Sequence, residues 1–159
     1  MEHKMSSFIQ INNNTTLPID TIRFIRTIDK DERERIIERY GVDAADFKIS
    51  IQFADKSTKL ALETIDQLRR QGVGLVDIGG GRHVVVANIK SARPFTNKDA
   101  GKIGERGYSV SQDFKSRVET TAGAVLSSAT PTQIMERRAR ARGSGSQNAG
   151  PFASKPANG

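Results

Sequence analysis

The chain has 159 residues, 36% of them hydrophobic, a formal net charge of +7 and no cysteine. That length suits one ordinary domain with an appended segment, and the missing thiols exclude disulfides and thiolate metal sites. With only two histidines, His3 and His83, a histidine-rich metal centre is excluded as well, and no cofactor is expected.

No apolar run approaches the ~20 residues needed to span a bilayer. The opening "MEHKMSSFIQINNN" lacks the apolar stretch of a secretory signal. A soluble, cytoplasmic protein is the expectation. Up to Phe95 there are 15 Lys/Arg against 13 Asp/Glu, a net of +2; from Thr96 onward there are 10 against 5, a net of +5. The basic excess therefore belongs mostly to the last third, which favours attraction of polyanions through a tail.

In chain order, Phe8 to Ile11 is a short apolar run, followed by "NNN" and "TTLPIDTIRFIRTI". Asparagine-rich turns between β-prone runs predict a hairpin. Pro18 has no N–H for a ladder, so its strand should lie at an edge or carry a break there. "DKDERERIIERYG" predicts a charged helix over about 31–40 that stops at Gly41, with Ile36, Ile37 and Tyr40 as its apolar stripe. Phe47, Ile49, Ile51 and Phe53 alternate with polar residues, which is the period of a half-buried strand. A second strand is expected around Leu60 and Leu62. "TIDQ" is a capping box from Thr64 to Gln67 and opens a helix over 64–71 that buries Ile65 and Leu68.

Next, "LVDIGGGRHVVVA" sets two apolar runs around three glycines. A phosphate cradle would need a helix after the glycines, with its free N–H groups aimed at the anion. Here a β-branched run follows, and the lysine and hydroxyl of a nucleotide loop are absent. A tight turn that accepts positive φ explains the glycines. His83 reads as a strand histidine rather than a catalytic base, because no partner group lies nearby in sequence.

Beyond Thr96, residues 96–142 read as a basic, partly helical extension. Phe114, Val118, Ala122 and Leu126 stand four apart, so a helix is expected from about Gln112 to Leu126, capped by Ser111. "TPTQIMERRARARG" predicts another, from near Pro131 to Gly143. Residues 143–159, rich in Gly, Ser, Pro and Asn, should be disordered.

Residues 8–26 can be laid over 75–93 without a gap. Ile11 meets Ile78, Asn12–Asn14 meet Gly79–Gly81, Leu17 meets Val84, Ile22 meets Ile89, Arg23 meets Lys90 and Arg26 meets Arg93. Asparagine and glycine are the residues that best tolerate positive φ. Two similar hairpins are expected, either duplicated or converged. The predicted fold is α+β: an antiparallel β-meander or half-barrel of about six strands over residues 6–95, with one packed helix, an inserted charged helix and the basic extension.

The order of elements resembles the LytTR-type DNA-binding domain of bacterial regulators. "LPIDTIRFI" looks like that family's first strand, "FKISIQFADKSTKLALETIDQL" like its two following strands and helix entry, and "LVDIGGGRHVVVANIKSAR" like its final strand pair. The resemblance covers residues 17–93 and implies a DNA-binding regulator. The family usually carries a His-Arg-Ser phrase, which helps contact DNA, where this chain has Gly79–Gly81. No family site residue is therefore carried over.

Three function classes follow. The first is a non-enzymatic nucleic-acid-binding accessory or regulatory protein. Arg137, Arg138, Arg140 and Arg142 would contact phosphates; Arg23, Arg26, Lys90 and Arg93 would form a second basic surface. The tail has few aromatic residues, which favours duplex or shape-based contact over base stacking. The second is a protein-interaction module, such as an assembly component, adaptor or inhibitor, with a partner or a second copy bound at a β-edge or through a C-terminal helix. The third, an enzyme, finds no support: Asp20, Asp55, Glu63, Asp66 and Asp77 form no acid–base pair, so no catalytic residue is expected.

Overall fold

The computed structural model describes residues 7–96, 98, 99, 101, 102 and 114–147, the last five by backbone alone. The expected Ser111 cap and the tail beyond residue 147 lie outside the described residues. The elements are β1 (Phe8–Ile11), β2 (Thr15–Pro18), β3 (Ile22–Thr27), α1 (Lys30–Tyr40), β4 (Ile49–Phe53), β5 (Thr58–Ala61), α2 (Ile65–Arg70), β6 (Leu75–Gly79), β7 (Arg82–Val85), β8 (Ile89–Pro94), β9 (Ser116–Thr120), β10 (Gly123–Ser127) and α3 (Pro131–Gln147). The fold class is α+β, with antiparallel sheets throughout. Eight strands precede Phe95, against the expected six or so; 3-10 turns at Ile19–Thr21 and Val86–Asn88 separate each hairpin from the strand that follows it.

The strands form three sheets: β1-β2, then β5-β4-β3-β7-β6, then β10-β9-β8. The five-stranded sheet lies in the middle and is apolar on both faces. Leu75 and Val85 join Ile9, Ile11, Ile25, Ile51 and Leu68 in a first core. Their neighbours Val76 and Val84 join Ile78, Val118, Val125 and Ile134 in a second. That is why the sequence around the three glycines is a near-continuous apolar run: a strand covered on both faces needs apolar residues at every position. Gly79, Gly80 and Gly81 all take positive φ (94°, 66° and 75°), and the chain re-enters β7 directly, so the glycines make a turn and not a cradle. Asn12 and Asn13 do the same at φ 54° and 71° in the first hairpin.

The hairpin match extends through the whole chain. β1, β2, β3 and β4 begin at residues 8, 15, 22 and 49; β6, β7, β8 and β9 begin at 75, 82, 89 and 116, a constant offset of 67. The pairings repeat with it. Ile22 faces Phe53 and Phe24 faces Gln52 across a bulge; Ile89 faces Thr120 and Ser91 faces Glu119 across the same bulge. Ile28 N–H donates to Lys48 O, and Phe95 N–H to Lys115 O, each at 3.0 Å. The loop into the fifth strand is one residue shorter in the second copy, so later equivalents stand 66 apart. Thr64 and Gln67 cap α2, and Thr130 and Gln133 make the same reciprocal pair at the start of α3. The molecule is thus two copies of one β-β-β-β-β-α unit, and the middle sheet takes three strands from the first copy and a hairpin from the second.

The helix expected from Gln112 to Leu126 is not present in the described part of that stretch: Ser116–Leu126 falls in β9, a turn and β10. The core-facing positions of these strands are Ser116, Val118 and Thr120, then Val125 and Ser127. Polar residues occupy three of the five, so the period of two was hidden and an accidental spacing of four stood out. Ser116 and Ser127 are satisfied by donating to Ala129 O at 2.6 Å and Ile78 O at 2.7 Å. The last helix runs to Gln147, four residues past Gly143. α1 lies where expected, with the Asp29 carboxylate accepting from Glu32 N–H and Gly41 at its end. Of its expected stripe only Ile36 is buried, and Tyr40 is exposed. In β5, Ala61 faces the first core, and Leu60 packs on a small separate cluster with Ile28, Ile36 and Ala44.

Candidate nucleic-acid interface

The eight basic residues expected to contact phosphate separate into two groups and a lone lysine. Arg23 is committed to the joint between the middle and outer sheets: its guanidinium donates to Ala124 O at 2.7 and 3.2 Å and to Gln52 Oε1 at 2.7 Å. Arg26 grips Glu32 with two bonds of 2.6 Å. Its equivalent, Arg93, pairs with Asp99 at 3.8 Å. Arg23 and Arg26 are thus held by close partners, whereas Arg93 stays about half exposed. Lys90 is exposed and stands apart from them.

The second group is on α3. Arg142 is exposed, and Arg138 is half-buried with its Nε enclosed and without a hydrogen-bond partner. Arg137 and Arg140 line the same cleft as Arg69 and Arg70, which sequence reasoning had not singled out. These four guanidinium groups line one cleft of about 620 Å³, floored by residues 72–76 and bordered by Asp77. The cleft exists because α2 ends at a tight glycine-containing turn into β6, and α3 crosses the same strand. Arg137 donates to Asp77 O at 2.9 Å, and Arg69 to Leu75 O at 3.3 Å, so strand β6 positions one arginine from each helix. The Asp77 carboxylate is itself engaged, accepting from Gly79 N–H at 2.8 Å in the glycine turn. Arg69 also pairs with Asp66 at 3.3 Å on the exposed side of α2. α2 and the start of α3 occupy equivalent places in the repeat; α2 ends in two arginines, and α3 carries its arginines from Arg137 onward. The adjacent arginines at the end of α2 are the signal that could have brought Arg69 and Arg70 into view.

Four arginines from two helices line this cleft, with Asp77 at its border and Asp66 paired to Arg69, and give it a cationic excess. Guanidinium groups remain charged and present planar pairs of donors that match phosphate oxygens. No aromatic side chain lines the cleft, so it offers charge and hydrogen bonds but no stacking platform.

Arg82 is a third kind of cation. It lies half-buried between the rings of Phe24 and Phe114, 5.7 Å from each, and donates to Leu126 O. Burial lowers its pKa from the ordinary arginine value, with Arg23 and Arg26 pushing the same way. His83 sits at the centre of the middle sheet, opposite Ile25 on β3 and Asp77 on β6. Its Nδ1 is enclosed without a hydrogen-bond partner. Among the described residues no cluster of His, Asp and Glu is suited to hold a metal, and no helix is long and apolar enough to cross a membrane. Set against models of protein families, curated proteins and solved structures, the chain shows no match.

Proposed function

We propose that this is a non-enzymatic nucleic-acid-binding accessory or regulatory protein that contacts phosphates through the cleft between α2 and α3. The observation that carries the reading is the convergence of Arg69, Arg70, Arg137 and Arg140 on one cleft, with Asp77 at its border and Asp66 paired to Arg69. Arg142, exposed on the same helix as Arg137 and Arg140, adds to the positive charge of α3. The resemblance of residues 17–93 to LytTR-type DNA-binding domains points the same way. Without aromatic residues in the cleft, the expected ligand is a phosphate backbone read by shape, with little sequence preference. On this reading the protein acts in the cytoplasm.

The test is binding of the full chain to labelled duplex DNA, single-stranded DNA and RNA across a salt series. Affinity should fall steeply with salt, since each phosphate contact releases counterions. Replacing the four cleft arginines with glutamine should lower the logarithmic salt slope by about 1 for each phosphate that is no longer neutralised. No binding at low salt, or an unchanged slope in the fourfold variant, would remove this reading. A second reading, a protein-interaction module, is favoured by the unpaired sheet edges.

A further inference from the structure

The internal repeat leaves the molecule with two complementary incomplete sheets. The complete sheet, in the middle, joins β3 of the first unit to β7 of the second. Ile25 faces His83, Arg26 faces Arg82, and Thr27 N–H donates to Gly81 O at 2.9 Å. The sheet β10-β9-β8 is the three-stranded part of that arrangement without its hairpin. The sheet β1-β2 is the hairpin without its three strands. Among the described residues, neither the outer edge of β8 nor that of β2 carries a strand.

We propose that a second copy of this chain docks here, head to tail, with the β2 edge of one copy completing the β8 edge of the other. The internal joint supplies the register. Ala92 is equivalent to Ile25 and Thr16 to His83, so Ala92 faces Thr16 of the second copy, and Arg93 faces Thr15. The contact has no like-charge pair, whereas the internal joint sets Arg26 against Arg82. Thr15 and Thr16 are β-branched, as suits a paired strand. Phe8 carries a further indication. It is 50% exposed, whereas its equivalent, Leu75, is 3% exposed because the neighbouring unit covers it. A second copy at the β2 edge would stand where that neighbouring unit stands for Leu75.

One residue sets the strength of the contact. Pro94 occupies the place of Thr27 and has no N–H, so the joint between copies lacks the bond that Thr27 gives to Gly81. The association is therefore weaker than the internal joint and reversible. Because the two surfaces differ, it does not close at a dimer.

The test is sedimentation of the full chain over a concentration series at high salt. The weight-average mass should climb past that of a dimer. Pro94→Thr restores the missing N–H and should shift assembly to about fivefold lower concentration, the worth of one hydrogen bond. Thr16→Pro and Ala92→Pro each remove an outward N–H from one edge and should leave monomers, whereas an equimolar mixture of the two should give a 1:1 dimer that grows no further. The proposal is overturned if the native chain and Pro94→Thr both stay monomeric at millimolar concentration. It is equally overturned if either proline variant still dimerises alone, or if their mixture does not pair. Should a proline variant fail to fold, the Pro94→Thr result decides.

Discussion

Gln71 and Arg137 stand at the same place in the two repeats and make the same contact. Gln71 Nε2 donates to Gln10 O on β1 at 2.8 Å, and Arg137 Nη1 donates to Asp77 O on β6 at 2.9 Å. A structural bond in the first unit has become, in the second, a bond that also brings a charge to the cleft.

Arg137→Gln should therefore separate the two roles. The glutamine can keep the reach that Gln71 shows in the first unit, so stability should change by less than about 0.5 kcal/mol while nucleic-acid affinity falls. Arg137→Ala removes both the bond and the charge, and should cost about 1 kcal/mol, the net worth of an ordinary hydrogen bond. Denaturant titration and binding measured on the same preparations check the pair. Equal stability losses in the two variants would show that the backbone bond does not matter.

His83 should make stability depend on pH. Burial holds its imidazole below the usual value of 6.5; Asp77 opposes this, Arg69 adds to it, and the Gly81 carbonyl and Asp66 oppose it. The unfolded chain thus takes up this proton at a higher pH than the folded one. The stabilisation is complete above about 6.5 and is lost as pH falls through the lower folded value. The denaturation midpoint should decline from pH 7 toward pH 5, and His83→Gln should flatten that decline. Asp55 and Asp99, whose pKa values are lowered by hydrogen bonds from Ser57 and Thr96, act only below about 3.8 and do not confuse the comparison.

The three glycines of the β6–β7 turn should not be equivalent. Gly79 has φ 94°, and a Cβ there would collide with the Ser128 hydroxyl. Gly79→Ala should cost more than about 2 kcal/mol, combining left-handed strain with overpacking. Gly80 meets only the far end of Arg82, and its equivalent in the first hairpin is Asn13 at φ 71°. Gly80→Asn should be close to neutral in thermal denaturation.

A chain ending at Phe95 should not fold to a native state. The second core takes Val118, Val125, Ala129 and Ile134 from beyond that point. Loss of cooperative unfolding and binding of a hydrophobic dye would be the signs. Ile134→Ala in the full chain should cost about 2–5 kcal/mol, as should Leu68→Ala at the equivalent position, since both side chains are fully buried.

Local signals were read well from the sequence where one residue type has one physical use. The Thr64–Gln67 capping box, Gly41 at the end of α1, the Asn and Gly turns and the edge position of Pro18 all needed only neighbours in sequence. The repeat was visible in its hairpins but not beyond them. In the second unit Ser116, Thr120 and Ser127 stand where the first has Ile49, Phe53 and Ala61, and hydrophobicity no longer marks the strand. The site was half legible for a similar reason. Clustering revealed Arg137 and Arg140, but Arg69 and Arg70 join them only because the tertiary fold puts both pairs on one cleft beside β6. Arg23 and Arg26 resemble a basic surface until Gln52 and Glu32 are seen to hold them.

The shared middle sheet also bears on synthesis. A ribosome releases the chain from its N-terminus, and by the time α2 has emerged every segment of the first unit is free to fold. Its core still waits for Leu75 and Val85, and the inner edge of β3 stays open until β7 arrives. For that interval the nascent chain exposes an unpaired strand beside apolar side chains, a state prone to pairing with other chains. The second hairpin thus serves as an intramolecular partner for the first unit, and any pause in translation between residues 71 and 85 would lengthen the exposure.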